Sequence, residues 1–515
     1  MKKVRGLRTL LPRSLAETDL AWFRKLASSE VPLVGPYLRP LSNAANRSRL
    51  WMFISIVLAL FGGRFGRRAA LRGMLSVGAT SLAVNIPAKW LAQRLRPESS
   101  LVPQTRRLLR IPRSSSFPSG HAASAFAFTT GAAQEMPWLV APLGTLASGV
   151  AFSRVYTGVH FPSDVLAGAV LGTAIGLAGR MWWPVASRDP AVTRPTFIVH
   201  KAEPSADGNG LTVVVNQSSG DVFSDPADKV RKLLPAASVV EVAPDGLEHA
   251  LREALPGSRA VGIAGGDGSV SLAAGIAHEA AKPLIVFPTG TLNHLARDLA
   301  IGTVEAAVAA IQEGQAVGID VASIAGRTFV NTASFGAYSQ LVDAREKLEG
   351  MIGKWPAFVV GLFQVLRTST PIEVEIDGHS RRIWMIFVGN SRYHPSGFAP
   401  SWRERLDDGV LDVRLIDAHQ PWARTRLMAA LLTGRLGRSR VYEEWSTRRL
   451  LVRSKQGPLR LAADGETFDG PEAFEIRKED EPLVVYLPEI KALSDERLSE
   501  SFSGTRAFRT ADKPR

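Results

Sequence analysis

The chain has 515 residues, 62 Lys and Arg against 48 Asp and Glu for a net charge of +14, and no cysteine. That length calls for two or three domains, and the missing thiols exclude disulfides, thiolate catalysis and Cys-ligated zinc. The charge is lopsided: residues 1–190 carry 24 Lys and Arg against 7 Asp and Glu, net +17, and the remainder is −3. No nucleic-acid-binding signature accompanies this excess, so no nucleic-acid partner is expected. It flanks apolar segments instead, where Arg and Lys contact lipid headgroups and set topology.

The N-terminus, MKKVRGLRTLLPRS, is basic, but no uninterrupted apolar core or small-residue cleavage site follows. It does not read as a cleaved secretory signal. Within residues 1–49, Leu15–Ala27 has helical spacing of apolar residues. It fits a helix lying on a membrane surface and an amphipathic cap on the domain equally well. Five apolar stretches follow at about 50–63, 73–88, 120–134, 137–152 and 165–183, several shorter than the roughly 20 residues that span a bilayer. Their Gly and Ala content suits close helix packing, and Trp182 and Trp183 mark an interface. Residues 50–185 are therefore expected to form a membrane bundle of about five helices.

Residues 186–210 are rich in Pro, Ser, Asp and Gly and read as a linker with a short strand at Thr196–His200. From 211 to about 320, strand-like Leu211–Val215, Ser238–Val242, Ala260–Ala264 and Pro283–Phe287 alternate with helical segments. That alternation predicts a parallel α/β sheet. From about 321 to 488, strand-like Thr328–Ser334, Ile372–Ile376, Ile383–Gly389, Val410–Ile416, Arg449–Arg453, Pro458–Ala462 and Pro482–Leu487 lack regular intervening helices. They predict an antiparallel β part. Residues 489–515 read as a disordered tail. The fold class is thus an all-α membrane bundle, then an α/β nucleotide-binding domain with an antiparallel β subdomain.

In the bundle, Lys89-x6-Arg96-Pro97, Pro118-Ser119-Gly120-His121 and Ser153-Arg154-x5-His160-x3-Asp164 stand out. A phosphate ester held for in-line attack needs cations at its equatorial oxygens, a nucleophile behind it and an acid for the departing alkoxide. Lys89, Arg96 and Arg154 can supply the cations, and Ser119 with the N–H groups of Gly120 and His121 an anion pocket at a helix start. Asp164, one turn after His160, can hold one ring nitrogen and leave the other free. Singly, each has an ordinary structural role: Lys89 and Arg96 as interfacial cations, His121 at a helix cap, Asp164 as an N-cap. Together, these segments resemble the type 2 phosphatidic acid phosphatase superfamily over about 50–185. The resemblance implies His160 as a phosphohistidine-forming nucleophile, Asp164 orienting it and His121 protonating the leaving group. It also implies Lys89, Arg96, Ser119, Gly120 and Arg154 as the phosphate cradle, with no metal required.

In the second half, Gly265-Gly266-Asp267-Gly268-Ser269 follows an apolar strand and opens a helix. Glycines admit phosphates close to the backbone, and the helix N-terminus favours negative charge. Asn216–Gly220 and Pro288–Asn293 follow strands in the same way, so three polar loops share one sheet edge. No Walker-type GxxxxGK[ST] occurs. The set resembles the diacylglycerol kinase catalytic domain family over about 210–488, together with Asn331-x2-Ser334-x-Gly336, Gly389-Asn390, Asp407-Asp408-Gly409-x-Leu411-Asp412 and Asp464-Gly465-Glu466. The resemblance implies ATP contacts from Asn216, Ser219, Gly220, Gly265, Gly266, Asp267, Gly268, Ser269 and Thr291. It implies Glu466 as the base, and Mg2+ held by Asp408 with backbone oxygens of Arg405 and Val410. Two departures stand in this chain: Ser271-Leu272 where the family has Asn-Glu, and NQSSG where it prefers proline second.

The sequence thus reads as a bifunctional lipid enzyme, a lipid phosphate phosphatase fused to an ATP- and Mg2+-dependent lipid kinase, with lipids and the membrane as partners. The alternative is a single activity, with the other half a membrane anchor or lipid-binding scaffold. A transporter is disfavoured because no inverted repeat is evident. Span parity puts the phosphatase site and the kinase on opposite faces of a bacterial cell membrane. ATP then fixes the kinase in the cytoplasm and the phosphatase site outside.

Overall fold

A computed structural model describes residues 13–29, 31–108, 114–185, 191, 206–219, 225–290, 293–313, 316–337, 369–397 and 401–488. The expected strand at Thr196–His200, the tail 489–515 and two expected ATP contacts, Gly220 and Thr291, lie outside the described residues. The chain divides into two compact units, Met1–Ala186 and Ser187–Arg515.

The first unit is helical: α1 (Arg13–Ser28), α2 (Gly35–Ala44), α3 (Arg49–Phe61), α4 (Gly63–Ala83), α5 (Lys89–Ala92), α6 (Gly120–Glu135), α7 (Val140–Tyr156) and α8 (Pro162–Ala178). Helices cover all five predicted apolar stretches. Three stretches, Gly63–Ala92, Pro137–Tyr156 and Pro162–Met181, are long and apolar enough to cross a membrane. The pair Gly35–Ala44 and Asn46–Phe61, bent by 66°, passes the same test only when taken together, as a broken span or a re-entrant loop. The expected span at 120–134 lies at the centre. Its helix α6 has 16 residues, most of them buried, because α4, α7 and α8 wrap it. It is the core of the bundle.

Glycines set how closely α8 approaches that core. Gly168, Gly172 and Gly176 recur every four residues on one buried face of α8. A Cβ at Gly172 would lie 2.1 Å from the Ala123 carbonyl oxygen, and one at Gly168 2.4 Å from that of Ser119. This small-residue stripe brings the first turns of α6 and α8 together, and the Ser119 N–H donates to the Asp164 carbonyl at 2.9 Å. At the opposite end of the same helices, buried Glu135 accepts from Arg68 and Arg72, which lie over the Trp183 ring. Both arginines also donate to the Pro184 carbonyl, fixing the chain's exit there.

The second unit begins with β1 (Leu211–Asn216), α9 (Pro226–Leu233), β2 (Ser238–Val242), α10 (Leu247–Ala254), β3 (Ala260–Gly265), α11 (Asp267–Glu279), β4 (Leu284–Pro288), α12 (His294–Asp298), α13 (Val304–Glu313) and β5 (Ala316–Ile319). The β-rich part holds β6 (Ala322–Ile324), β7 (Arg327–Phe329), β8 (Thr332–Gly336), β9 (Ile372–Ile376), β10 (His379–Asn390), β11 (Tyr393–His394), β12 (Trp402–Arg403), β13 (Leu411–Asp417), α14 (Ala423–Thr433), β14 (Tyr442–Thr447), β15 (Arg449–Ser454), β16 (Arg460–Ala463), β17 (Glu466–Asp469), β18 (Ala473–Lys478) and β19 (Leu483–Tyr486). Eleven of these strands form one antiparallel sheet system.

Two expectations need correcting. The predicted parallel sheet is mixed, in the order β2-β1-β3-β4-β19-β5. Its β19, expected in the antiparallel part, runs parallel to β4 and antiparallel to β5 because Leu483, Val485 and Tyr486 are buried in the α/β core. The segment Thr328–Ser334, expected as one strand, is two. Between β7 and β8 the N–H groups of Val330, Asn331 and Thr332 turn to the Asp464 carboxylate.

The α6–α8 contact carries a direct test. Gly172→Val, which puts a branched side chain into backbone, should destabilise the purified protein by about 2 kcal/mol or more and suppress lipid phosphate hydrolysis. Gly144→Ala, which meets nothing within 4 Å, should leave both unchanged. Thermal unfolding in detergent with a parallel activity assay reads the difference.

Candidate functional sites

The bundle gathers its predicted site residues from four helix ends. Lys89 opens α5, Ser119 caps α6, Gly120 and His121 start it, Arg154 lies in the last turn of α7, and Asp164 in the first of α8. Arg96 and His160 come from the intervening loops. Arg96 Nη1 approaches His160 Nε2 at 3.3 Å, and Lys89 Nζ lies 3.8 Å from where a Gly120 Cβ would sit. Lys89, Arg96, Arg154 and His160 all lie near enough to His121 to bear on its protonation. All eight expected residues converge on one pocket.

Among the described residues, Lys89, Arg96 and Arg154 have no hydrogen bond or ion pair to a carboxylate. Lys89 reaches Asn85 and Ser114, and Arg96 donates to the carbonyls of Ser114, Ser115 and Val159. Arg154 is fully buried, held at 2.6 Å by the Ser42 hydroxyl, and its Nε has no partner. The buried Ser119 Oγ also has none. Unmet buried donors beside three like charges favour an anion. Burial pushes the His160 imidazole down to about 4 against the pull of Asp164, with Arg96 and Arg154 adding to the shift. The ring is therefore neutral at pH 7, with Nδ1 3.6 Å from Asp164 and Nε2 towards the cations.

Asp164 both caps its helix and holds the site. Its Oδ2 accepts the Phe161 N–H at 2.9 Å and the Ser116 hydroxyl at 2.8 Å, and Oδ1 takes Arg94 Nη1 at 2.6 Å. Arg94 in turn reaches Asp19 on α1 at 2.6 Å, and His121 Nε2 faces Asn46 Oδ1 at 2.9 Å. Sequence reasoning missed Arg94, Ser116, Asp19, Ser42 and Asn46. Signals existed for three of them: Arg94 and Ser116 stand two residues before Arg96 and Pro118, and Asp19 shares a helix face with Phe23 and Ala27.

In the second unit, the loops after β1, β3 and β4 meet at one sheet edge. Asn216 Nδ2 donates to Ser269 Oγ at 3.0 Å, and Ser219 Oγ lies 2.9 Å from Thr289 Oγ1. A Cβ on Gly290 would stand 2.5 Å from Gly266 Cα, so these loops touch backbone to backbone. Asp267 Oδ1 accepts the His294 N–H at 2.6 Å, tying the Gly265–Ser269 loop to α12. A Gly268 Cβ would be 2.6 Å from Glu466 Oε1, which places the expected base directly over the loop. Arg327 pairs with Glu466 at 2.5 Å.

Asp464 organises this edge. It accepts three backbone N–H groups and, at 2.6 Å, the hydroxyl of Ser271. Burial pushes its carboxyl up, and these donors pull the other way. Ser271, the departure from the family pattern, therefore has its own partner here. Arg403 binds Asp298 on α12, the carbonyls of Val330 and Asn390, and the Asn331 amide oxygen. Asp408 accepts the N–H groups of Arg392 and Val410, the Val410 carbonyl accepts the Ser391 N–H, and Arg405 pairs with Asp407. One carboxylate and main-chain carbonyls are hard oxygen donors, and their chemistry fits Mg2+.

Residues 70–188 match the PAP2 superfamily, 210–324 the diacylglycerol kinase catalytic domain, and 338–481 the YegS C-terminal NAD kinase beta sandwich-like domain. The chain is a fusion of a PAP2 superfamily domain with a diacylglycerol kinase catalytic domain. Over 248 residues it is 27% identical to a "Probable lipid kinase YegS-like" protein of Pseudomonas fluorescens (strain Pf0-1), covering 47% of this chain and 80% of that one. A diacylglycerol kinase structure from Bacillus anthracis str. Sterne aligns with TM-score 0.39 and 16% identity, covering 54% of this chain and 97% of the other. A transmembrane PAP2-type phosphatidylglycerolphosphate phosphatase from Bacillus subtilis aligns with TM-score 0.27 and 22% identity, covering 33% and 86%.

Proposed function

We propose that the chain is a bifunctional membrane lipid enzyme. Its PAP2 domain hydrolyses a lipid phosphate such as phosphatidate or a polyprenyl phosphate or diphosphate. Its kinase domain phosphorylates a diacylglycerol-like or sphingoid alcohol. The observation that carries the phosphatase reading is the group of three cations without carboxylate partners, with the orphaned Arg154 Nε and Ser119 Oγ, around a neutral His160.

The phosphoryl oxygens lie among Lys89, Arg96, Arg154 and the first N–H groups of α6. The His160 Nε2 lone pair attacks phosphorus as the bond to the lipid oxygen breaks, and His121 gives that oxygen its proton. Asp164, 3.6 Å from Nδ1, stabilises the positive charge that grows on the ring. Water then attacks the phosphohistidine, loses its proton to His121, and the P–N electron pair returns to Nε2. The sum is lipid phosphate plus water to lipid alcohol plus inorganic phosphate.

In the kinase half, the contact of the Gly265–Ser269 loop with Glu466 supports transfer from ATP. Asn216, Ser219, Gly220, Gly265, Gly266, Asp267, Gly268, Ser269 and Thr291 bind the nucleotide. Glu466, exchanging Arg327 for substrate, takes the lipid hydroxyl proton as that oxygen attacks the γ-phosphorus and the bond to the ADP oxygen breaks. Asp408 with the carbonyls of Arg405 and Val410 would hold Mg2+. The nucleotide-bound ion supplies neutralisation of phosphate charge.

His160→Ala should lower hydrolysis of phosphatidate or a prenyl phosphate by about 10³-fold or more and leave phosphorylation intact. EDTA should not affect hydrolysis. Asp267→Ala and Glu466→Ala should each abolish magnesium-dependent transfer of label from ATP to lipid with hydrolysis unchanged. Hydrolysis surviving in His160→Ala sinks the phosphatase mechanism, and a wild type that labels no diacylglycerol, sphingoid or prenol alcohol sinks the kinase.

We further propose that the two chemistries face opposite sides of a bacterial cell membrane. The phosphatase pocket and the Pro184 exit occupy opposite ends of the first unit's bundle, which supports this topology. With no native cysteine, single cysteines at Ser100 and Ser224 (the latter outside the described residues) can be introduced cleanly. An impermeant thiol reagent on intact cells should label the first and not the second. Equal labelling would put both sites on one face.

A further inference from the structure

The stretch 35–48 precedes the PAP2 match at 70–188, yet it touches two members of the phosphatase pocket. Ser42 and Asn46 are four residues apart, one turn along α2 and its extension, and so share a face. Ser42 receives Arg154 Nη1 at 2.6 Å, and Asn46 Oδ1 faces His121 Nε2 at 2.9 Å. The Asn46 amide is oriented from its other side, with Nδ2 3.5 Å from Asn43 Oδ1. The ring faces the amide oxygen, which can only accept, so His121 Nε2 is the donor.

The backbone just beyond is unusual. Arg47 and Ser48 both adopt the left-handed conformation, with φ of 53° and 59°, at the 66° bend between α2 and α3. Two successive non-glycine residues in that region are costly, and such strain persists where surrounding contacts fix it. Here the bend ends α2 with Asn46 against His121.

We propose that Asn46 is a positioning residue for the leaving-group acid of the PAP2 domain. The inference rests on the phosphatase reading above. By accepting the Nε2 proton, the amide oxygen fixes one tautomer and ring orientation of His121 and leaves Nδ1 to carry the transferable proton. When the ring becomes an imidazolium, the same oxygen stabilises it. Ser42, one turn earlier, holds Arg154 through the same helix, so α2 with its bend is a working part of the pocket. The charged and titratable groups that act on His121 among the described residues are Lys89 from α5, Arg96 and His160 from loops, and Arg154 from α7. Asn46 is the neutral acceptor among them.

The role separates from a merely structural one by leaving group. Phosphatidate expels an alkoxide that needs a proton, whereas p-nitrophenyl phosphate expels a phenolate that does not. In full-length protein in detergent, Asn46→Leu should lower kcat on phosphatidate by about 10- to 100-fold with KM little changed, the range for residues that orient a working histidine. On p-nitrophenyl phosphate the loss in kcat/KM, which reports phosphorylation of His160 and not the shared hydrolysis of the phosphohistidine, should be under about threefold. Asn46→Asp, which keeps an acceptor, should recover most of the phosphatidate rate. Asn46→Ser, too short to reach the ring, replaces the Leu variant if that one does not fold. An equal loss on both substrates, or none on either, overturns the proposal and leaves the phosphatase reading standing. A wild type that hydrolyses neither substrate overturns both.

Discussion

Three cations held together without carboxylate partners are the constraint around which the PAP2 domain is built. Lys89, Arg96 and Arg154 repel one another, and with Arg154 fully buried and the other two half-buried, solvent screens them only in part. The fold answers with neutral oxygens: side chains of Asn85, Ser114 and Ser42, and carbonyls of Ser114, Ser115 and Val159. These hold the cations in place without cancelling their charge. The nearby carboxylate, Asp164, is instead committed to Arg94, Ser116 and its own helix cap. A phosphoryl group entering the pocket would meet positive charge already ordered, with little reorganisation left to perform.

The kinase half solves a different problem with the opposite charge. Asp464 is a half-buried carboxylate satisfied by three backbone N–H groups and a serine hydroxyl. That arrangement breaks the strand between β7 and β8 and pins the following Glu466 over the Gly265–Ser269 loop. Ser271 belongs to α11, which that loop opens, so the hub joins the β-rich part to the nucleotide edge. Arg403 adds a second tie, from α12 to Asn331 and Asn390. Motifs scattered over residues 265–466 become one site because buried polar groups must find partners.

Much of this was legible in the sequence. Alternating strands and helices located β1 to β4, and the three PAP2 segments named residues that the structure brings to one pocket. What was not legible depends on contacts distant in sequence. The return of β19 into the first sheet follows from burial of Leu483, Val485 and Tyr486, and no local pattern distinguishes that from another antiparallel strand. Helix α6 reads as one more apolar span, and no local pattern says that its 16 residues lie at the centre of the bundle. Asp19, Ser42 and Asn46 are common polar residues in an N-terminal stretch without a motif. Their partners Arg94, Arg154 and His121 lie 75, 112 and 75 residues away.

The central claim is that the cation pocket presents phosphorus to His160. Rapid quenching of the full-length protein with phosphate-labelled phosphatidate tests it most directly. The account expects an acid-labile, alkali-stable label that maps to residue 160, forms in the presence of EDTA and is absent from His160→Ala. Label on another residue, or burst kinetics with no covalent label at all, would contradict it.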